Sequence, residues 1–364
     1  MKAAVLHEHG EPLVIEDVDL APPQRHEVKV RIAATGVCHS DLSCRDGGFP
    51  VFSLPLIPGH EAAGIVTEVG LGVTKVKEGD HVIVSWVPYC GECWHCTHNE
   101  PVNCADVQGR YGLMRDETSR LSLRGQPVAH GLDAATFAEE AVLQQNAVIK
   151  IDPSVPLDIA ALIGCGVTTG VGAVLNTAKV PEGSRVAVIG CGGVGLNVIQ
   201  GARIAGASQI IAIDVVPMKL DAAKRMGATD LVDASDIPAN IAVMDLTGGV
   251  GADYAFEVIG KAKTQEQAIA MIRRGGYAVF VGVAPMFDPM PIMPGLVTLL
   301  AQSILGCYFG SAVPERDFPK LIEFWRAGML DLEGLISQHG GLEDINKAFA
   351  DMEAGTVLRT VINP

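Results

Sequence analysis

Four cysteines fall within fifteen residues, at Cys90, Cys93, Cys96 and Cys104 of CGECWHCTHNEPVNC. Thiols this close serve as disulfides, as a redox pair or as metal ligands. The chain holds nine cysteines, an odd number, and its start lacks the basic residues, apolar core and cleavage site of an export signal. That pattern fits a reducing compartment, so a cytoplasmic location is expected and a disulfide framework is not. A redox C-x-x-C pair normally opens a helix after a strand, whereas Gly91 and Pro101 impose a loop here. Four thiolates on a compact loop can surround one tetrahedral ion with no open position, so a structural zinc is expected on residues 90–104.

A second chemical signal lies in VAVIGCGGVGLNVI, where an apolar strand runs into Gly190, Gly192 and Gly195 and then into a helix. Gly190 allows the tight turn, Gly192 lets the backbone approach a pyrophosphate, and Gly195 lets the helix pack on the strand. The helix N-terminus then faces the phosphates. Asp214 closes the next strand, QIIAID, where a carboxylate can bind both ribose hydroxyls and repel a 2′-phosphate. NAD is therefore expected over NADP. Lys219 stands where it can flank the adenosine ribose.

These residues need elements to hold them. Residues 1–150 read as strands and turns: VKVRIAATGV, EAAGIVTEVG, DHVIVSWV and FAEEAVLQQNAVIKI. From about residue 166, strand and helix patterns alternate as in an open parallel α/β sheet, and two helices and a strand, LRTVI, close the chain. The fold class expected is α/β, a Rossmann-type doubly wound sheet beside a β-rich catalytic domain. The division is residues 1–165, 166–308 and 309–364, the last returning to the catalytic domain. With 364 residues, 48% of them apolar, the chain has material for two cores. A formal charge of −15 argues against nucleic acid and anionic membranes as partners. Asp288 to Glu315 carries no charge between its ends, but prolines and glycines break it, so no membrane span is expected there.

The segments GVCHSD, PGHEAAGIVTEVG and GCGVTTG, together with the cysteine loop and the glycine loop, resemble the zinc-containing medium-chain alcohol dehydrogenases over nearly the whole chain. The resemblance implies a GroES-like catalytic domain and a second, catalytic zinc on Cys38, His60 and Cys165. Spacing alone could not connect those three. Two thiolates, an imidazole and a fourth position for substrate or water suit a catalytic ion, which lowers the pKa of an alcohol hydroxyl as it does that of water. Hydride then passes between the alcohol carbon and NAD. By the same resemblance Asp41 holds the His60 ring, Glu61 is an acid near the metal, and Ser40 passes on the substrate proton. Trp86 lines the pocket, Thr169 lies beside the nicotinamide, and Arg359 reaches the pyrophosphate.

Two positions depart from the family pattern. Ser43 replaces the histidine that finishes the proton relay in many relatives, and His39 replaces an arginine that meets the pyrophosphate in several. Cys44, Cys191 and Cys307 carry no assigned role. The long segment between Cys104 and Phe137 resembles the dimeric branch, with SILGCYF pairing across a twofold axis, so a homodimer acting on a small alcohol or carbonyl compound is expected. A rival reading is the branch that oxidises formaldehyde as a glutathione or mycothiol adduct, with Arg110, Arg115, Arg120 and Arg124 as candidate anchors. A non-enzymatic zinc–thiolate redox sensor or structural protein is the reading from another class. Intact ligand sets beside a complete dinucleotide loop count against it.

Overall fold

The computed structural model describes residues 1–106, 110–285 and 288–364. The chain divides into two compact units: Met1–Gly166 with Val313–Pro364, and Val167–Ala312. The sequence-based division differs by one residue at its first boundary and a few at its second.

In the first unit, strand Glu27–Gly36 is the spine of a seven-stranded sheet. Val28, Val30, Ile32 and Ala34 are buried in alternation, the period-two pattern of a strand with a core-facing side. Glu61–Val69 pairs antiparallel with it, and Gly36 faces Glu61 in the register. Arg359–Ile362 pairs along the same spine, with Val361 opposite Gly36. Three distant stretches of chain thus end at one corner of one sheet. A smaller four-stranded sheet and a two-stranded one complete the unit. Phe137, Phe349, Leu56 and Ile57 anchor a buried apolar cluster there.

The second unit is a six-stranded parallel sheet whose strands, counted along the chain, lie in the order 3-2-1-4-5-6. The order reverses between Arg185–Ile189 and Ala252–Glu257, so the chain leaves these neighbours in opposite directions and opens a crevice at their carboxyl ends. Ile189, Ile211, Val232 and Ala255 are among the buried residues of its core.

The helical run Leu157–Thr177 is the one described helix long and apolar enough to cross a membrane, and 83% of its most apolar window is buried inside the protein.

Candidate metal centres and dinucleotide site

The four loop cysteines bring their sulfurs together within 4.8 Å of one another. Cys90 and Cys96 are 3.9 Å apart, Cys93 and Cys96 3.6 Å, and Cys93 and Cys104 3.9 Å. Sulfurs at the corners of a tetrahedron around zinc, about 2.3 Å from its centre, would be about 3.8 Å apart. A disulfide needs about 2.05 Å, so these thiols are spaced for an ion and not for each other. Amides of Glu92 and Cys93 donate to the Cys90 sulfur, and the Cys90 amide donates to that of Cys104. Amide hydrogen bonds, from Cys96 first, bring the Cys93 thiol down to about 6, while burial pushes Cys96 up. Four neighbouring thiolates repel one another, and a divalent cation removes the conflict. The residues fit zinc.

The second cluster is Cys38, His60 and Cys165, all buried, with donor atoms within 4.8 Å of one another. The sheet explains the first two. Cys38 follows Glu27–Gly36 as the N-cap of helix His39–Arg45, and His60 immediately precedes Glu61–Val69, so the Gly36–Glu61 register sets them side by side. Cys165 sits in a π-helical turn, Ile163–Val167, that continues helix Leu157–Leu162. Such wide turns re-aim side chains and recur at functional sites. At Gly164 a Cβ would come within 2.8 Å of the Val84 carbonyl, so this turn lies flat on the sheet.

Asp41 orders the cluster. Its Oδ1 meets His60 Nδ1 at 2.9 Å and accepts from the Gly59 amide at 2.9 Å, and its Oδ2 accepts from the Cys38 amide at 3.1 Å. The ring therefore turns Nε2 toward Cys165 Sγ, 3.2 Å away. Burial disfavours a charged ring, but the Asp41 carboxylate outweighs it and pushes His60 up to about 10. A ring so supported is a better donor to a cation. Cys38 is drawn well down by its hydrogen bond with Cys165, which is itself driven up. Among the described residues the cluster has three donors, and a tetrahedral ion takes four. The residues fit zinc with one position for a non-protein oxygen.

Around this centre, Glu61 is buried and its Oε2 pairs with Arg359 and accepts from the Gly166 amide at 3.4 Å, while Oε1 has no partner among the described residues. A Cβ at Gly36 would lie 2.6 Å from that Oε1, so only glycine leaves room for the acid. Arg359 also donates to the Val37 carbonyl at 3.1 Å. The guanidinium of this buried arginine is thus engaged beside the metal cluster. The Trp86 ring meets His60 edge-on, 5.8 Å between centroids. Ser40 Oγ lies 3.9 Å from Cys38 Sγ, His39 is exposed, and the Ser43 carbonyl accepts from Gly48 in the turn after this helix.

In the second unit, Gly190 has φ +94°, and Gly192 N-caps helix Gly193–Ile204 with open space where a Cβ would stand. A Cβ on Gly195 would fall 1.8 Å from the Gly190 carbonyl. Each glycine is required for a different reason, and the bare helix start fits a pyrophosphate. Asp214 Oδ2 accepts from the Cys191 amide at 2.7 Å, and Oδ1 from Val215 and Val216. The acid that would bind a ribose also holds the glycine loop. Lys219 is half-buried in helix Pro217–Met226, and Thr169 is buried in helix Thr168–Gly172.

Sequence reasoning passed over three residues here. Val215 and Ile259 are apolar yet 59% and 45% exposed, one beside Asp214 and the other where a Gly190 Cβ would touch it at 2.7 Å. Such side chains suit the flat faces of a dinucleotide. Glu257 is the third, buried at the end of its strand. An acid closing an apolar strand, as Asp214 does, was the available signal. Of the four candidate anchor arginines, Arg110 and Arg115 pair with Asp106, Arg120 with Glu27 and Asp116, and Arg124 with Glu16.

A β-rich unit with two cysteine-based metal sites and an α/β unit of dinucleotide type define a zinc-containing dehydrogenase. Residues 24–153 match the alcohol dehydrogenase GroES-like domain family and residues 193–327 the zinc-binding dehydrogenase family. The chain is 42% identical to the alcohol dehydrogenase class-3 of Myxine glutinosa, over 99% of this chain and 97% of that one. It is also 42% identical to the S-(hydroxymethyl)glutathione dehydrogenase of Synechocystis sp., over 100% and 99%. The benzyl alcohol dehydrogenase structure from Acinetobacter calcoaceticus superposes with a TM-score of 0.94 at 31% identity, over 100% of this chain and 98% of the other. The chain belongs to the zinc-containing alcohol dehydrogenase family.

Proposed function

We propose that the protein is a cytoplasmic, NAD-dependent oxidoreductase that moves hydride between a primary or secondary alcohol and NAD, with one catalytic and one structural zinc per subunit. The convergence of Cys38, His60 and Cys165 in a buried three-donor cluster carries the reading. When bound, zinc polarises the substrate oxygen and NAD takes up or returns the hydride. The chain does the rest. Asp41 fixes the His60 ring, Trp86 narrows the space beside it, and the Ser40 hydroxyl takes the proton from the substrate oxygen. Gly190, Gly192 and Gly195 cradle the dinucleotide, Asp214 selects its unphosphorylated ribose, and Lys219 and Thr169 add contacts of their own. The family resemblance gives His39 and Arg359 cofactor roles as well, although the Arg359 guanidinium is already paired with Glu61. Absorbance of NADH over a panel of aliphatic, aromatic and cyclic alcohols tests this; silence with every alcohol in zinc-replete protein refutes it.

A second reading, oxidation of a formaldehyde–thiol adduct, is favoured by the name of the Synechocystis relative. The carboxylate partners of all four candidate arginines weigh against it. Formaldehyde oxidation strictly dependent on glutathione or mycothiol would establish it.

A homodimer is supported by strand Ser303–Gly306. It ends its sheet with Ile272–Phe280 on one side and, among the described residues, no strand on the other. The nearby exposed Met293, Leu296 and Leu299 favour cover by a second copy. Sedimentation as a monomer at micromolar concentration would contradict it.

A further inference from the structure

The buried carboxylate of Glu257 is absorbed by neither metal site nor glycine loop. It closes the fourth parallel strand, opposite Ile189, at the point where the strand order reverses. Its Oε1 takes three donors: the Ile259 amide at 2.9 Å, the Gly260 amide at 2.8 Å and the Thr264 hydroxyl at 2.7 Å. Its Oε2 is buried with no partner among the described residues. Its own carbonyl accepts from Val281 and Gly282, and the next amide, of Val258, donates to Ile189. One side chain therefore fixes the turn that follows its strand, while its backbone ties that turn to both flanking strands.

The turn has little freedom to settle elsewhere. Gly260 has φ +82°, and a Cβ on it would lie 2.5 Å from the Val283 carbonyl. A Cβ on Gly282 would lie 2.1 Å from the Gly260 nitrogen. Between Glu257 and Gly260 stands Ile259, exposed and in contact range of the glycine turn at Gly190. An acid buried this deeply carries a desolvation cost, and burial raises its pKa.

We propose that Glu257 is a positioning residue of the dinucleotide site: its Oε1 holds the Val258–Gly260 turn so that Ile259 stands over the glycine loop and covers the bound cofactor. The proposal rests on the dinucleotide reading above. It acts through acceptor geometry at Oε1, so Glu257→Gln, which keeps a carbonyl oxygen for the same three donors, rescues what Glu257→Met removes.

NADH fluorescence titration of zinc-replete protein tests it, together with zinc content, thermal midpoint and KM for an alcohol at saturating NAD. E257M is expected to weaken NADH binding about tenfold, and E257Q by no more than about threefold. Zinc content and the alcohol KM should stay at parental values, whereas a purely structural role would move them along with the thermal midpoint. E257M binding NADH as tightly as the parent, or E257Q falling as far as E257M, overturns the proposal. If E257M does not fold, Thr264→Val, which removes one of the three donors, decides: about threefold weaker NADH binding supports the proposal and unchanged binding overturns it. A parent that binds no NADH overturns the dinucleotide reading, and this proposal with it.

Discussion

Asp41 Oδ1 lies 2.9 Å from His60 Nδ1, and both side chains are buried. The same carboxylate accepts from the amides of Gly59 and Cys38, so it orients one metal-facing ring and the backbone of a metal-facing thiol together. Replacement by Asn keeps the shape and removes the charge. D41N is expected to weaken zinc retention at the catalytic site roughly 10- to 100-fold. Competition dialysis against a chelator measures it, and parental retention would show that the carboxylate does no more than fill space.

The two carboxylate oxygens of Asp214 accept three amides, which supports the glycine loop, and the proposed ribose selection would fall to the same oxygens. Asp214→Ala is expected to raise KM for NAD about tenfold or more and to narrow the preference over NADP. The ratio of kcat/KM for the two cofactors is the readout. A ratio equal to that of the parent would remove Asp214 from cofactor choice.

His39 is exposed on the first turn after Cys38. A guanidinium carries a permanent charge and more donors than an imidazole. His39→Arg should slow NADH release, by about fivefold at most for an exposed pair. Stopped-flow release that is equal or faster would remove His39 from the pyrophosphate site. Ser43→His makes a parallel test of the proton outlet: a new histidine-like step in the pH profile of hydride transfer is expected, and an unchanged rate and profile would show that the position carries no proton.

His130 makes stability sensitive to acid. Burial, aided by the charge of Arg120, brings its pKa down from 6.5 to about 4, and its Nε2 accepts from the Arg120 amide. Between those values the unfolded chain binds a proton that the folded one does not. Its contribution is whole above 6.5 and is lost as pH falls toward about 4, on the order of 3 kcal/mol. Asp133 works in the opposite sense: burial pushes it up to about 6, so its contribution is whole below 3.8 and lost as pH rises through about 6. Urea unfolding should show the stability gap between parent and His130→Gln shrinking by about 2–3 kcal/mol from pH 7.5 to 4.5. A gap independent of pH would contradict this.

Local features were legible in the sequence because one short segment holds all their parts. The cysteine loop needs only residues 90–104, and the glycine loop only one strand, one turn and one helix start. The catalytic cluster is different. His60 and Cys165 are 105 residues apart, and what joins them to Cys38 is sheet register plus a π-helical turn, neither of which leaves a spacing signature. Only the family resemblance reached them. Arg359 and Glu257 show the same limit: each reads as a charge at a strand end, and only the packed structure buries it.

Metal content of freshly isolated, zinc-replete protein bears most directly on the central claim. Elemental analysis should find two zinc ions per subunit, falling to one in Cys165→Ser with loss of alcohol oxidation, and to one in Cys104→Ser with a lowered thermal midpoint. A parent carrying fewer than two ions when fully loaded, or a Cys165→Ser variant that keeps both and still oxidises alcohol, would contradict the account.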